Sequence, residues 1–338
     1  MSAVDGAPRA APELGHVTCW ALGDGKAGTE NQCLGLAEAI GCRFEVKRIA
    51  PRAPWRRLPT GLWMRLVGDR PERFLGRDGD RPGPPWPDLL IAAGRASVPY
   101  AVAIRRAGGG RTFAVQLQDP RVPARLFDLV VAPRHDRVRG ANTIATIGAL
   151  NRVTPARLRE AAGRFEARVA HLPRPRVAVL IGGSSRAYRL TRADARRLSD
   201  GLVRLAGEAG AGLMVTASRR TGAAHAARLR DAIRGAPALM WDGAGDNPYF
   251  GFLGLADAIV VTADSVSMTS EACATGKPVF VAGLAGGNAR FRRFHATLEE
   301  RGYTRPFTGD LAGASGKRLD ETAAVAGEVR RRLAGALA

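Results

Sequence analysis

Short apolar runs alternate with amphipathic stretches along nearly the whole chain, and this alternation constrains the fold more than any other feature. A run of five or six apolar residues followed by a helix-spaced stretch marks a buried strand feeding a crossover helix. Val17–Leu22, Arg43–Arg48, Asp88–Ala92, Thr112–Leu117, Leu129–Ala132 and the short Thr143–Ile147 read as strands. Between the first two, Gly23–Gly28 is a glycine-rich turn. Thr29–Ile40 then carries Cys33, Leu36, Ala37 and Ile40 on one helical face, with Gly41 as its stop. Thr154–Ala170 reads as a helix opened by Thr154 with Pro155 in the first turn. Two prolines in His171–Arg176 mark a linker, after which the pattern restarts. Val177–Ile181, Leu213–Ala217, Ala238–Trp241, Ala258–Thr262 and Val279–Ala282 read as strands, and Thr191–Ala209 as a helix. Parallel strands joined by right-handed crossovers follow. The expectation is an α/β protein of two doubly wound domains, 15–173 and 174–338, facing across a cleft, after a disordered leader at 1–14. Ligands are expected where strand ends meet that cleft.

Composition removes several classes. Of 338 residues, 46% are hydrophobic and 24% charged, which is globular composition. No stretch approaches the ~20 apolar residues of a membrane span. Met1–Leu14 lacks the apolar core of a secretion signal, so a cytoplasmic protein is expected. Cys19, Cys33, Cys42 and Cys273 show no zinc spacing and fit a reduced compartment. The 51 basic residues outnumber 31 acidic ones for a net charge of +20. All but Lys26, Lys47, Lys277 and Lys317 are arginine, a skew that a GC-rich genome produces. The arginines are dispersed and accompany no recognisable binding module, so no nucleic-acid partner is expected. A solvated basic surface and an anionic partner both remain open.

The chemistry-bearing motifs lie mainly in the second half. Val177–Ile181 runs into Gly182, Gly183, Ser184 and Ser185. Two glycines let backbone approach an anion closely and the serines add hydroxyls, although an ordinary strand–helix turn explains the same residues. Neither a dinucleotide GxGxxG nor a GxxxxGK[ST] phosphate loop is present. Ala258–Thr262 leads into Asp264, Ser265, Val266, Ser267 and Met268. Asp264 or Ser265 can cap a helix ending at Gly276, and the unpaired amides of its first turn suit a diphosphate without a lysine. Glu271, about one turn in, can accept hydrogen bonds from a ribose diol. The alternative is a solvated first-turn glutamate that favours the helix dipole.

The run Ser265-x-Ser267-x-x-x-Glu271 followed by Gly276-x-Pro278 resembles the donor-binding motif of GT-B glycosyltransferases, among them the peptidoglycan transferase that makes lipid II. The resemblance implies that Ser265, Val266, Ser267 and Met268 hold a diphosphate and Glu271 the ribose. It also matches Gly182, Gly183 and Ser184 to the first donor-domain loop, and Arg219 adds positive charge nearby. Asp24–Gln32, Gln116–Arg121, Phe127–Asp136 and Asn247-Pro-Tyr249 together resemble a mitochondrial-fission family named for elongated mitochondria. The likeness runs from about Val17 to Phe307. Bacterial members are described as GT-B glycosyltransferases, and some carry older labels as nucleotide-sugar epimerases. The likeness implies hexosyl-type transfer from a nucleotide sugar to a cell-envelope glycolipid or polysaccharide precursor, with no cofactor and no metal. Its rivals are a nucleotide-sugar epimerase on the same fold and a non-catalytic membrane-fission adaptor.

An inverting transferase needs a base to deprotonate its acceptor. Many GT-B enzymes keep a histidine in the first loop, where this chain has Thr29. Asp24 is the first candidate, beside Glu30, with Asp119 and His135 at later strand ends. Caps and turns explain the carboxylates equally, and a surface histidine explains His135. Finally, Trp55–Val67 mixes tryptophans, aliphatics and arginines. Exposed Leu62, Trp63, Leu66 and Val67 with Arg56, Arg57 and Arg65 would suit an anionic membrane surface and a lipid-linked acceptor. A helix packed on the sheet is the alternative, since Pro59 and Gly61 interrupt the pattern.

Overall fold

The computed structural model describes residues 15–52, 58–67, 78–313 and 315–337. The expected leader at 1–14 and Trp55, Arg56 and Arg57 lie outside the described residues. Two compact units emerge, each with its own parallel six-stranded sheet.

The first unit is made of the described residues within 15–132, 138–145 and 322–337. Its strands are β1 (Thr18–Gly23), β2 (Arg43–Arg48), β3 (Leu89–Ala93), β4 (Phe113–Leu117), β5 (Leu129–Pro133) and β6 (Thr143–Thr146), in the order β2-β1-β3-β4-β5-β6. Helices α1 (Ala27–Ile40), α2 (Thr60–Val67) and α3 (Val98–Ala107) connect or flank them. β3, β4 and β5 are buried along their whole length, as expected of parallel strands covered on both faces. β2, at the edge, alternates charged exposed residues with half-buried ones. Chain order reverses between β1 and β3, which makes that pair the switch point of this sheet.

The second unit holds 133–137 and 146–321. In chain order it contains α4 (Pro155–Val169), β7 (Arg176–Ile181), β8 (Tyr188–Arg189), α5 (Arg192–Glu208), β9 (Gly212–Ala217), α6 (Ala223–Ala232), β10 (Ala238–Met240) and α7 (Tyr249–Leu255). It continues with β11 (Ala258–Thr262), α8 (Val266–Ala274), β12 (Val279–Ala282), β13 (Ala285–Gly286), α9 (Ala289–Glu300) and β14 (Arg305–Pro306). The sheet order is β10-β9-β7-β11-β12-β14, with every adjacent pair parallel. Side chains alternate between two cores. Val177, Val179 and Ile181 of β7 pack with Leu198 and Leu202 of α5, while Ala178 and Leu180 pack with Phe252, Ala272 and Phe294 on the opposite face. The Thr154 hydroxyl caps α4, and Thr191 with Asp194 forms a reciprocal capping box on α5. Here the chain reverses between β7 and β11.

The α/β class and the doubly wound sheets agree with the sequence reading, but the division of the chain does not. The expected boundary at 173 falls inside the second unit, because α4 packs against α7. The chain instead changes unit at 145/146 and again at 321/322. The C-terminal helix α10 (Thr322–Leu337) returns to α1, where Arg330 Nη1 donates to the Ala39 carbonyl at 2.7 Å. The short segment 133–137 also belongs with the second unit.

Trp63 decides between the two readings of its helix. Its ring is buried, 5.7 Å from the Tyr100 ring in an edge-to-face pair, so α2 turns its large aromatic inward. Leu62 and Leu66 of the same helix remain exposed. Among the described residues no helix is long and apolar enough to cross a membrane.

Candidate functional site

Loops following β7, β9, β11 and β12 form the carboxyl rim of the second sheet, and the β7/β11 reversal puts the first and third of them side by side. Short β8 and β13 pair antiparallel and so tie the β7 loop to the β12 loop.

The glycine turn is built from within. The Gly182 amide donates to Thr262 Oγ1 at 2.7 Å, and the Gly183 amide to Asp264 Oδ2 at 3.0 Å. The Ser184 amide donates to the Arg220 carbonyl at 3.3 Å, and that of Ser185 to the Tyr188 carbonyl at 2.8 Å. A Cβ on Gly182 would overlap the Asp264 carboxylate, and one on Gly183 the Arg220 carbonyl. Gly182 therefore makes room for the Asp264 carboxylate and Gly183 for the Arg220 backbone. Ser184 is an exposed residue whose hydroxyl accepts from the Leu190 amide at 3.1 Å.

Asp264 is the hub of this turn. It is fully buried and takes hydrogen bonds from Gly183 and from Thr262 Oγ1 (2.7 Å), with Arg220 Nη1 at 2.7 Å from its Oδ2. Three donors compensate the desolvation of the carboxylate. The paired arginine is thus Arg220, while its neighbour Arg219 is exposed. Tandem arginines give a sequence no signal to tell them apart.

Asp264 does not cap the following helix. Ser265 does, accepting from the Met268 amide at 3.2 Å. Among the described residues the Val266 and Ser267 amides make no hydrogen bond, so the first turn of α8 presents two donors at the positive end of its dipole. Such a terminus binds phosphate groups without a lysine. Glu271 is buried, one and a half turns along α8, and Tyr249 Oη donates to its Oε2 at 2.5 Å. Burial and the Glu271 charge hold the Tyr249 phenol well above its ordinary pKa, so it stays protonated. The sequence motif contained Tyr249, but its partner 22 residues away was not encoded in any local spacing.

His135 lies elsewhere in the second unit, within the 133–137 segment. It is not a surface histidine: its side chain is only 2% exposed, and its ring stacks edge-on to Phe294 at 5.2 Å. Burial, then Arg290 and Arg293, lower its pKa to about 3, so the imidazole is neutral. The neighbouring Asp136 binds Arg290 Nε at 2.5 Å, and Arg293 Nη2 donates to the His135 carbonyl at 3.0 Å.

The remaining candidates belong to the first unit. Glu30 is held by Arg48 through two hydrogen bonds of 2.8 and 2.7 Å. Asp24, in the turn before α1, pairs with Lys26 and accepts from Thr29 Oγ1 at 3.3 Å. Asp119 closes a tight turn, taking the Arg121 amide at 2.9 Å and Arg121 Nε at 2.7 Å. The flanking Gln118 and Arg121 have φ of 69° and 59°, left-handed values that are uncommon for such side chains.

Comparison with known proteins places this arrangement in a lineage. A family model described as mitochondrial fission ELM1 matches residues 27–333. The mitochondrial fission protein ELM1 of Arabidopsis thaliana is 31% identical, with 93% of this chain and 90% of that protein covered. This chain belongs to the mitochondrial fission ELM1 family. Another relative, the uncharacterized protein RP120 of Rickettsia prowazekii, is 24% identical over 78% of this chain and 82% of its own length. Among solved structures, the UDP-GlcNAc 2-epimerase from Methanocaldococcus jannaschii matches with a TM-score of 0.54 and 11% identity. That match covers 94% of this chain and 99% of the epimerase. At that identity the likeness concerns fold: this ELM1-family chain has a GT-B-type architecture of two Rossmann-like halves.

Proposed function

We propose that this ELM1-family chain is a nucleotide-sugar-dependent glycosyltransferase acting on a cell-envelope glycolipid or polysaccharide precursor. The observation that carries the reading is the first turn of α8, where two unbonded amides stand one and a half turns before a buried carboxylate. Val266 and Ser267 hold the donor diphosphate, with the Ser265 and Ser184 hydroxyls beside them. Glu271 takes the ribose diol. Arg220, 41% exposed at its side chain and braced by Asp264, supplies the charge first assigned to Arg219.

In the reaction an acceptor oxygen attacks the anomeric carbon while the bond to the diphosphate breaks. The α8 amides stabilise the charge that builds on the departing diphosphate. Asp24 is the acceptor-side base we assign. Asp24 with Lys26, Glu30 with Arg48 and Asp119 with Arg121 are all ion-paired, so Asp24 is chosen for its place in the first strand–helix turn, and His135 is set aside as buried with a pKa of about 3. Nothing in this scheme requires a cofactor, and the nucleotide sugar is substrate.

The test is turnover of labelled uridine, guanosine and adenosine diphosphate sugars, with and without a membrane-lipid extract. Label entering the lipid fraction, lost in Glu271→Ala, supports transfer. Altered sugar without acceptor assigns an epimerase instead. No turnover and no nucleotide binding leave an adaptor.

A further inference from the structure

The contact between Tyr249 and Glu271 belongs to a rigid frame. The Asn247 side chain accepts from the Tyr249 amide at 3.0 Å, which fixes the start of α7. At the other end of α7, Lys277 Nζ donates to the Leu253 and Gly254 carbonyls at 2.7 and 2.6 Å. Lys277 directly follows the end of α8 at Thr275-Gly276, so this second tie joins the C-terminal ends of α7 and α8. Between those ties Phe252 and Leu253 of α7 and Ala272 and Cys273 of α8 share one core. Both side chains stand on helices that share this core, so the phenol meets the carboxylate at one fixed place.

We infer that Tyr249 is a positioning residue that sets ribose recognition by orienting the Glu271 carboxylate. The inference rests on the donor-site reading above. A carboxylate offers about four lone-pair positions, so accepting one phenol hydrogen orients the group and leaves acceptor capacity for a sugar hydroxyl. The phenol also stabilises the charged form of a buried acid, which desolvation alone would push toward the neutral one. A protonated Glu271 is a poorer acceptor for a diol. Tyr249 therefore acts on selectivity for ribose more than on overall affinity.

The experiment is calorimetric titration of the full chain with uridine diphosphate and 2′-deoxyuridine diphosphate. It compares wild type, Tyr249→Phe and Glu271→Gln between pH 5.5 and 8.5. Wild type should prefer the ribonucleotide by about tenfold or more, the range of a hydrogen bond to a charged group. In Tyr249→Phe the preference should fall below about threefold at pH 6 and recover as pH rises, because losing the donor raises the carboxyl pKa. A packing role alone would weaken both ligands equally and leave their ratio and its pH profile unchanged, and that result overturns the inference. Should Tyr249→Phe fail to fold, Asn247→Ala, which frees the Tyr249 amide, must reduce the same ratio; an unchanged ratio again overturns it. Absence of binding by wild type removes the donor-site reading itself, and binding without ribose preference removes the role of Glu271.

Discussion

Each unit carries a glycine-containing turn after its first strand, yet the two turns are built from different materials. In the first unit the turn before α1 is open. Nothing lies within 4 Å of a Cβ added at Gly25, the N-terminal residue Lys26 gives α1 no side-chain cap, and Glu30 is tied to an arginine that is 61% exposed. In the second unit the turn after β7 is filled from below by Asp264 of the adjacent β11 turn, whose helix α8 is capped by Ser265 and carries buried Glu271 against Tyr249. A buried polar network is costly unless each member is satisfied, and once satisfied it holds one geometry. The contrast makes the second turn a fixed geometry and the first a surface with adaptable charges.

Acid should separate the units most. His135 is neutral in the folded second unit with a pKa of about 3, against 6.5 when unfolded. The unfolded chain binds the proton first, so this contribution is complete above about pH 6.5 and is lost as pH falls toward 3. At about 1.4 kcal/mol per pKa unit its ceiling is about 5 kcal/mol. Hydrogen exchange should show the second unit opening before the first over that range, and His135→Gln should flatten the difference.

Glycine substitutions sharpen the contrast next. Gly183→Ala forces the Arg220 backbone to move and should cost about 3 kcal/mol in chemical denaturation. Gly25→Ala meets open space, and only its φ of 71° opposes it, for about 1 kcal/mol. Equal losses would erase the distinction between a filled and an open turn. Smallest of all, Glu30→Gln should change stability by no more than about 1 kcal/mol, since it weakens a largely exposed pair. It should leave nucleotide affinity unchanged in a direct titration.

The strands were legible because parallel strands buried on both faces are continuous apolar runs; Ala258–Thr262 and Val279–Ala282 matched to the residue. The α8 terminus was legible because its cap and its stop are local signals. Contacts set by the tertiary fold were not. Arg48 reaches back to Glu30, Tyr249 reaches forward to Glu271, and α10 returns to the unit where the chain began. The sequence left open whether Trp63 was exposed or packed for the same reason, since only the fold supplies Tyr100 as its partner. Local spacing records which face of an element is apolar and is silent on what covers it.

The central claim is that the first-turn amides of α8 grip a nucleoside diphosphate. Val266 holds the first helical position, where proline preserves the helix and deletes one donor. Titration of uridine, guanosine and adenosine diphosphates into wild type and Val266→Pro tests it directly. The account predicts saturable binding of at least one nucleotide at a single site, weakened about tenfold in the variant by loss of a charge-assisted hydrogen bond. Affinity unaltered by Val266→Pro, or no binding by the folded wild type, contradicts it.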